Sequence, residues 1–262
     1  DGRAGLRVAE DGTPLGPDGH LVGDVEAALS LAEEHRLRIL FTLIDFLWFS
    51  PAQVLNAVQM GGRRDMVADP GKRRALLDRV FLPLFERFGR EPALWAWDVI
   101  NEPEWATLGL GSPEPTVAVE RSAIVDFIRS AVEGVHGLTA QEVTVGLASS
   151  RGLPLVEGLG VDFYQIHWYD KGQENPGLDS VSPSSLGVDR PLLLGEFPTR
   201  GSRLSPVEIL ESARRHGFAG ALAWSVLGDD EASDYESAAA FLSLQAGPRF
   251  AAHASSASRQ GS

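Results

Sequence analysis

Cysteine is absent from all 262 residues, which excludes disulfides and thiolate metal centres and is compatible with any redox compartment. No apolar run approaches the roughly 20 residues needed to cross a bilayer, so no membrane partner is expected. Positive charge is scarce: 23 Lys and Arg stand against 36 Asp and Glu, a formal net charge of −13. With no basic stripe to offset it, that balance repels phosphate backbones and argues against nucleic acid as a partner. A glycine-rich phosphate loop after a strand is also missing, which removes support for a dinucleotide-binding sheet. The residues from Asp1 onward lack the basic-then-apolar pattern of a secretory signal, so the chain reads as a processed protein or a fragment. Its localisation stays open, secretion included.

What is present is an ordinary globular composition, 44% hydrophobic and 23% charged, in a chain long enough for one large domain. Residues 24 to 36 carry Val25, Ala28, Leu29 and Ala32 on one helical face and run into the apolar stretch Arg38 to Asp45. Continuous rather than alternating hydrophobicity predicts a strand covered on both faces, as in a parallel sheet wrapped by helices. The unit recurs. A helix over 73 to 88, with Pro83 expected to kink it, precedes a strand from Leu94 to Ile100. A helix over 117 to 135 precedes strands at 142 to 148 and 163 to 169. The strand Pro191 to Glu196 leads to a helix signalled by Ser205 as N-cap, Pro206, Glu208 and, past its end, Gly217. Gly220 to Val226 reads as a sixth strand and 231 to 243 as a closing helix. Residues 1 to 246 thus form a single α/β domain of (β/α)8 TIM-barrel type, and 247 to 262, rich in Ala and Ser without periodicity, a disordered tail.

Barrels of this type place their chemistry at the carboxyl ends of the strands. Those ends carry Asp45 and Trp48; Asn101, Glu102 and Trp105; His167, Trp168 and Tyr169; Glu196; and Trp224. Two carboxylates facing several aromatics suit glycoside hydrolysis. One carboxylic acid protonates the leaving oxygen while the other carboxylate attacks the anomeric carbon or activates water, and an exposed Trp covers the apolar face of a sugar. Plainer readings exist for each residue taken singly. Glu196 could be the first polar loop residue after an apolar strand, His167 a satisfied core histidine and Tyr169 a packing residue. Trp95 and Trp97 lie mid-strand and are read as packing, Asp98 as paired with a polar neighbour. His20, His35, His136, His216 and His253 are given no role.

At Trp97-Asp-Val-Ile-Asn-Glu-Pro103, His167-Trp-Tyr169, Leu194-Gly-Glu-Phe197 and Ala223-Trp224, in that order, the sequence resembles glycoside hydrolase family 5 and its relatives in the large clan of barrel glycosidases. The resemblance covers roughly residues 24 to 245. It implies Glu102 as acid/base, Glu196 as nucleophile and a retaining mechanism. It further implies that Asn101 binds the substrate 2-hydroxyl, that His167 and Tyr169 line the site, and that Trp224 floors the subsite where the bond breaks. Asp45, Trp48 and Trp105 join them as expected substrate contacts. By the same resemblance the six strands are the third to eighth of a barrel incomplete at its amino terminus, and Asp1-Gly-Arg-Ala-Gly looks like the loop after a second strand. The family's arginine at the end of that second strand has no counterpart, and Asp45-Phe-Leu-Trp48 occupies the place of its usual histidine.

The expected partner is an oligo- or polysaccharide, a β-linked glucan, mannan or related sugar, with no cofactor and no metal. Open barrel edges would in addition invite self-association. Two other readings remain open on the residues: a carbohydrate-binding barrel that cannot turn over, and a metal-dependent barrel enzyme using Asp45, Glu102, His167 and Glu196 as hard donors. Loss of activity in Glu196→Gln separates the first, metal analysis the second.

Overall fold

The computed structural model describes residues 5–55, 58–111, 117–170, 177–226, 230–234 and 236. They divide into two compact units, residues 1–167 and 168–262. The first unit is built on four parallel strands: β1 (Ile39–Thr42), β2 (Leu94–Asn101), β3 (Glu142–Leu147) and β4 (Tyr164–His167). They pair in the order β1, β2, β3, β4. Strand β1 is shorter than the apolar run Arg38 to Asp45. The ladder breaks after Thr42 and resumes as an isolated bridge between Asp45 and Asn101, which places the last residues of both runs side by side.

Four helices, two of them joined by a π-helical turn, accompany this sheet, and their limits follow from caps as much as from apolar spacing. Helix α1 (Leu21–Glu34) starts ahead of its apolar stripe because the Asp18 carboxylate accepts from the N–H groups of His20 and Leu21, two donors that the helix itself cannot satisfy. The stretch around Pro83 is continuous rather than sharply broken. It runs as α2 (Pro70–Leu76), a π-helical turn (Leu77–Phe81) and α3 (Leu82–Phe88). Pro83 lacks an N–H, and its ring would crowd the carbonyl four residues earlier, so the wider turn just before it absorbs the mismatch. Phe81, Phe85, Phe127 and Trp97 are buried, with Phe85 lying 5.1 Å from Trp97 and 6.3 Å from Phe81 by ring centroids. They tie α3 and α4 (Arg121–Leu138) to β2. The expected start of α4 at residue 117 is displaced because Val119 pairs with Thr107 instead. Two features carried no signal in the pattern of apolar residues: the antiparallel hairpins Leu6–Val8 with Pro14–Pro17, and Gln53–Leu55 with Val58–Met60.

The second unit pairs β5 (Leu192–Pro198) with β6 (Gly220–Trp224) in parallel, across helix α5 (Pro206–Arg215). Helix α5 begins as its sequence predicts. The Ser205 hydroxyl accepts from the Glu208 N–H while the Glu208 carboxylate accepts from the Ser205 N–H, and Gly217 follows with φ +83°. Buried Ile209, Leu210 and Ala213 face the sheet. The closing helix expected over 231 to 243 falls mainly outside the described residues, and residues 231–234 are irregular. The tail expected from 247 to 262 also lies outside them.

Candidate active site

In the first unit the expected residues gather at the carboxyl ends of β1, β2 and β4. Strand β2 ends at Asn101, and Glu102 then turns sharply, with φ 48° and ψ 52°, before a one-turn 3-10 helix at Pro103–Ala106. A left-handed conformation is uncommon for a residue with a Cβ, and here it is held from several sides. The Glu102 N–H donates to the Gly146 carbonyl at 2.6 Å, and the Trp105 N–H to the Glu102 carbonyl at 3.1 Å. The side chain is held as firmly. The Trp105 indole N–H donates to Glu102 Oε2 at 2.8 Å, and His167 Nδ1, on a residue almost wholly buried, lies 2.7 Å from Oε1. Both oxygens of a buried carboxyl are therefore engaged. Trp105 keeps 38% of its surface exposed, so its ring face remains available to a ligand while its N–H serves Glu102.

Asn101 is fixed from the neighbouring strand. Its side-chain amide donates to Asp45 Oδ2 at 2.9 Å, while Asp45 Oδ1 accepts from the Leu47 N–H and so caps the 3-10 turn Phe46–Phe49. Burial pushes the Asp45 carboxyl above its ordinary range, against the lowering effect of those two hydrogen bonds. The turn it caps carries Trp48, half-buried, with the nearly buried Arg63 guanidinium 5.4 Å from its ring centroid. Beneath Asn101, the Asp98 carboxylate accepts from Thr42 Oγ1 and the Gly146 N–H, which joins three strands and bears out its reading as a paired group. A Cβ at Gly146 would stand 2.8 Å from Gln165, 2.9 Å from Asn101 and 3.0 Å from Asp98. Only glycine leaves room there for the polar side chains that support Asn101. Trp97 is buried, and Trp95 stacks on Phe163 at 5.2 Å, so both are packing residues as expected.

In the second unit the Tyr169 hydroxyl donates to Glu196 Oε2 at 2.6 Å, and the Trp168 N–H donates to the Glu196 carbonyl at 3.0 Å. Glu196 is thus oriented by the residues that follow β4 in sequence. Trp224 is 39% exposed, and its indole N–H donates to Asp230 at 3.1 Å. Trp168, by contrast, is buried and offers little ring face to a sugar.

One residue at this site had no signal in the sequence beyond its charge. Glu104 lies two positions past Glu102 and is buried, with Oε1 accepting from the Ser149 N–H at 3.2 Å. Burial, reinforced by the nearby Glu102 charge and opposed by backbone hydrogen bonds, pushes its carboxyl up to about 7.

No family model matches the chain. In sequence it is similar to the mannan endo-1,4-β-mannosidase of Mytilus edulis, 26% identical over 267 residues that cover 86% of this chain and 70% of that one. It is also similar to the mannan endo-1,4-β-mannosidase of Cryptopygus antarcticus, 25% identical over 205 residues, 63% of this chain and 53% of that one. In fold it matches the crystal structure of an endo-1,4-β-mannanase from Eisenia fetida with a TM-score of 0.73 at 21% identity, over 92% of this chain and 76% of that one. These likenesses show the (β/α)8 type of fold, in agreement with the six parallel strands described.

Proposed function

We propose that this chain, grouped by sequence likeness and fold with the barrel glycosidases related to family 5, is a retaining β-glycoside hydrolase acting on β-mannan. Its single strongest support is the Glu102 carboxyl, held on both oxygens by Trp105 and His167 at the end of a parallel strand. A group so fixed is prepared for proton transfer at one place in space, which is what general acid catalysis needs. Glu196 is the partner carboxylate. Its hydrogen bond from Tyr169 fixes the plane from which it attacks. The mannan preference rests on the curated relatives alone.

In the first step Glu196 forms a bond to the anomeric carbon while Glu102 gives its proton to the departing glycosidic oxygen. In the second, Glu102 takes a proton from water, and that water displaces Glu196. Two inversions give net retention, and the mechanism requires the two carboxyl groups to stand about 5 Å apart. Asn101 would hold the 2-hydroxyl, and the Trp105, Trp48 and Trp224 faces would carry sugar rings.

The test is hydrolysis of β-1,4-mannan and β-1,4-glucan oligosaccharides, followed by NMR of the anomeric proton in the first product. The expected result is release of β-anomer from mannan, with Glu196→Gln inactive and Glu102→Gln slowed by about 10² to 10⁴. An initial α-anomer would overturn retention, and binding of mannan without any turnover would move the reading to a carbohydrate-binding barrel.

A further inference from the structure

Glu104 is a buried carboxyl that the mechanism does not use, and the packing around it is specific. Its Oε1 accepts from the Ser149 N–H, just past the end of β3, while Oε2 is buried with no partner among the described residues. A Cβ on Gly152 would fall 2.1 Å from Oε1 and 2.5 Å from the carboxyl carbon. The carboxyl is thus seated against the Gly152 backbone, in a socket that any larger residue would fill. A buried oxygen without a partner opposes folding, so general stability does not account for a carboxylate here. What it accomplishes is positional. The turn Pro103–Ala106 carries Trp105, and Glu104 fastens that turn to the segment after β3.

We propose that Glu104 is a positioning residue, a latch from the turn Pro103–Ala106 to Ser149 that holds Glu102 and Trp105 where the proton of Glu102 can reach a departing oxygen. It acts through Glu102 and need not touch substrate. The charged and titratable groups of the neighbouring elements are Glu102 on its own turn, Asp45 at the cap of the turn Phe46–Phe49, and Arg151 on the turn after Ser149. The inference rests on the glycosidase reading for its kinetic readout but not for its structural one.

A misplaced acid slows only those substrates whose leaving group needs a proton. Parent, Glu104→Ala, Glu104→Gln and Gly152→Ala are therefore compared on a mannan oligosaccharide and on dinitrophenyl β-mannoside, whose leaving group departs unprotonated. Glu104→Ala and Gly152→Ala are expected to lose about 100-fold in kcat/KM on the oligosaccharide, a loss typical of a small misplacement, and under about fivefold on the activated substrate. Glu104→Gln keeps the acceptor for Ser149 and is expected to restore most of the activity. Equal losses on both substrates, or none on either, overturn the proposal. Amide hydrogen exchange needs no activity: Glu104→Ala should speed exchange at Ser149 and across 102–106, with α4 unchanged. If the parent hydrolyses neither sugar, the glycosidase reading fails while the exchange result alone upholds or overturns the latch.

Discussion

Asp98 and Glu104 are buried carboxyl groups of the first unit. Burial pushes Asp98 up to about 6 and Glu104 up to about 7. In the unfolded chain both ionise in the ordinary range near 4. Between those limits the folded state binds more protons than the unfolded one, so stability is greatest below the window and falls as pH rises through about 4 to 7. Glu104→Gln removes the upper part of that dependence. Thermal melts taken at about pH 5 and about pH 8 should lie closer together in the variant than in the parent, and an unchanged gap would mean that Glu104 is not the group responsible. Trp105 makes a different point, because its N–H and its ring face have separate tasks. Trp105→Phe keeps a ring and removes the donor to Glu102. The expected effect is a fall in kcat of about five- to tenfold, the worth of a hydrogen bond of about 1 kcal/mol that holds the acid in place, with KM little changed. A rise in KM alone would make the ring a sugar platform and nothing more.

At the level of elements, the helices and strands were readable to the extent that their signals are local. Ser205, Pro206, Glu208 and Gly217 state the limits of α5 within thirteen residues of sequence, and the structure makes each of the hydrogen bonds they announce. The starts of α1 and α4 differ from those the apolar pattern predicts by three and four residues, since Asp18 and the Val119–Thr107 bridge act from outside that pattern. Two substitutions contrast a cap with a crowded strand. Ser205→Ala should cost about 1 kcal/mol of stability and leave activity alone. Gly146→Ala pushes a Cβ against Asn101, Asp98 and Gln165. Overpacking of that kind costs about 1 to 3 kcal/mol, and here it should also lower kcat by displacing Asn101. Denaturant melts and kinetics on both variants check the pair. Activity loss in Ser205→Ala would show that α5 matters to the site more than its cap suggests.

For the molecule as a whole, the edge of β1 and the net charge oppose one another. Among the described residues β1 pairs with β2 alone, and Ile39, Leu40 and Phe41 are only half-buried. An apolar strand with one open edge is a template for another strand. The formal charge of −13 pushes copies apart, and salt screens that repulsion over about 10 Å at 0.1 M. Self-association is therefore expected to strengthen with protein concentration and with salt, and Leu40→Lys should weaken it. Sedimentation velocity at two salt concentrations measures this, and a monomer under all conditions would rule it out.

The amino-acid sequence by itself determined the alternation of helix and strand, the parallel α/β class, the place of Glu102 just past the end of one strand, and the packing of Trp95 and Trp97, whereas Glu196, expected as the last residue of its strand, lies two residues before the end of β5. Those features rest on periodicity, caps and position along one run of chain. It could not disclose that Trp105 serves Glu102, that Trp168 is buried, or that Glu104 is locked against Gly152. Each of these depends on which residues meet across the turns and strands, and no local pattern records the partner. Tertiary packing decided them because a carboxyl or an indole takes its role from the groups that exclude water around it.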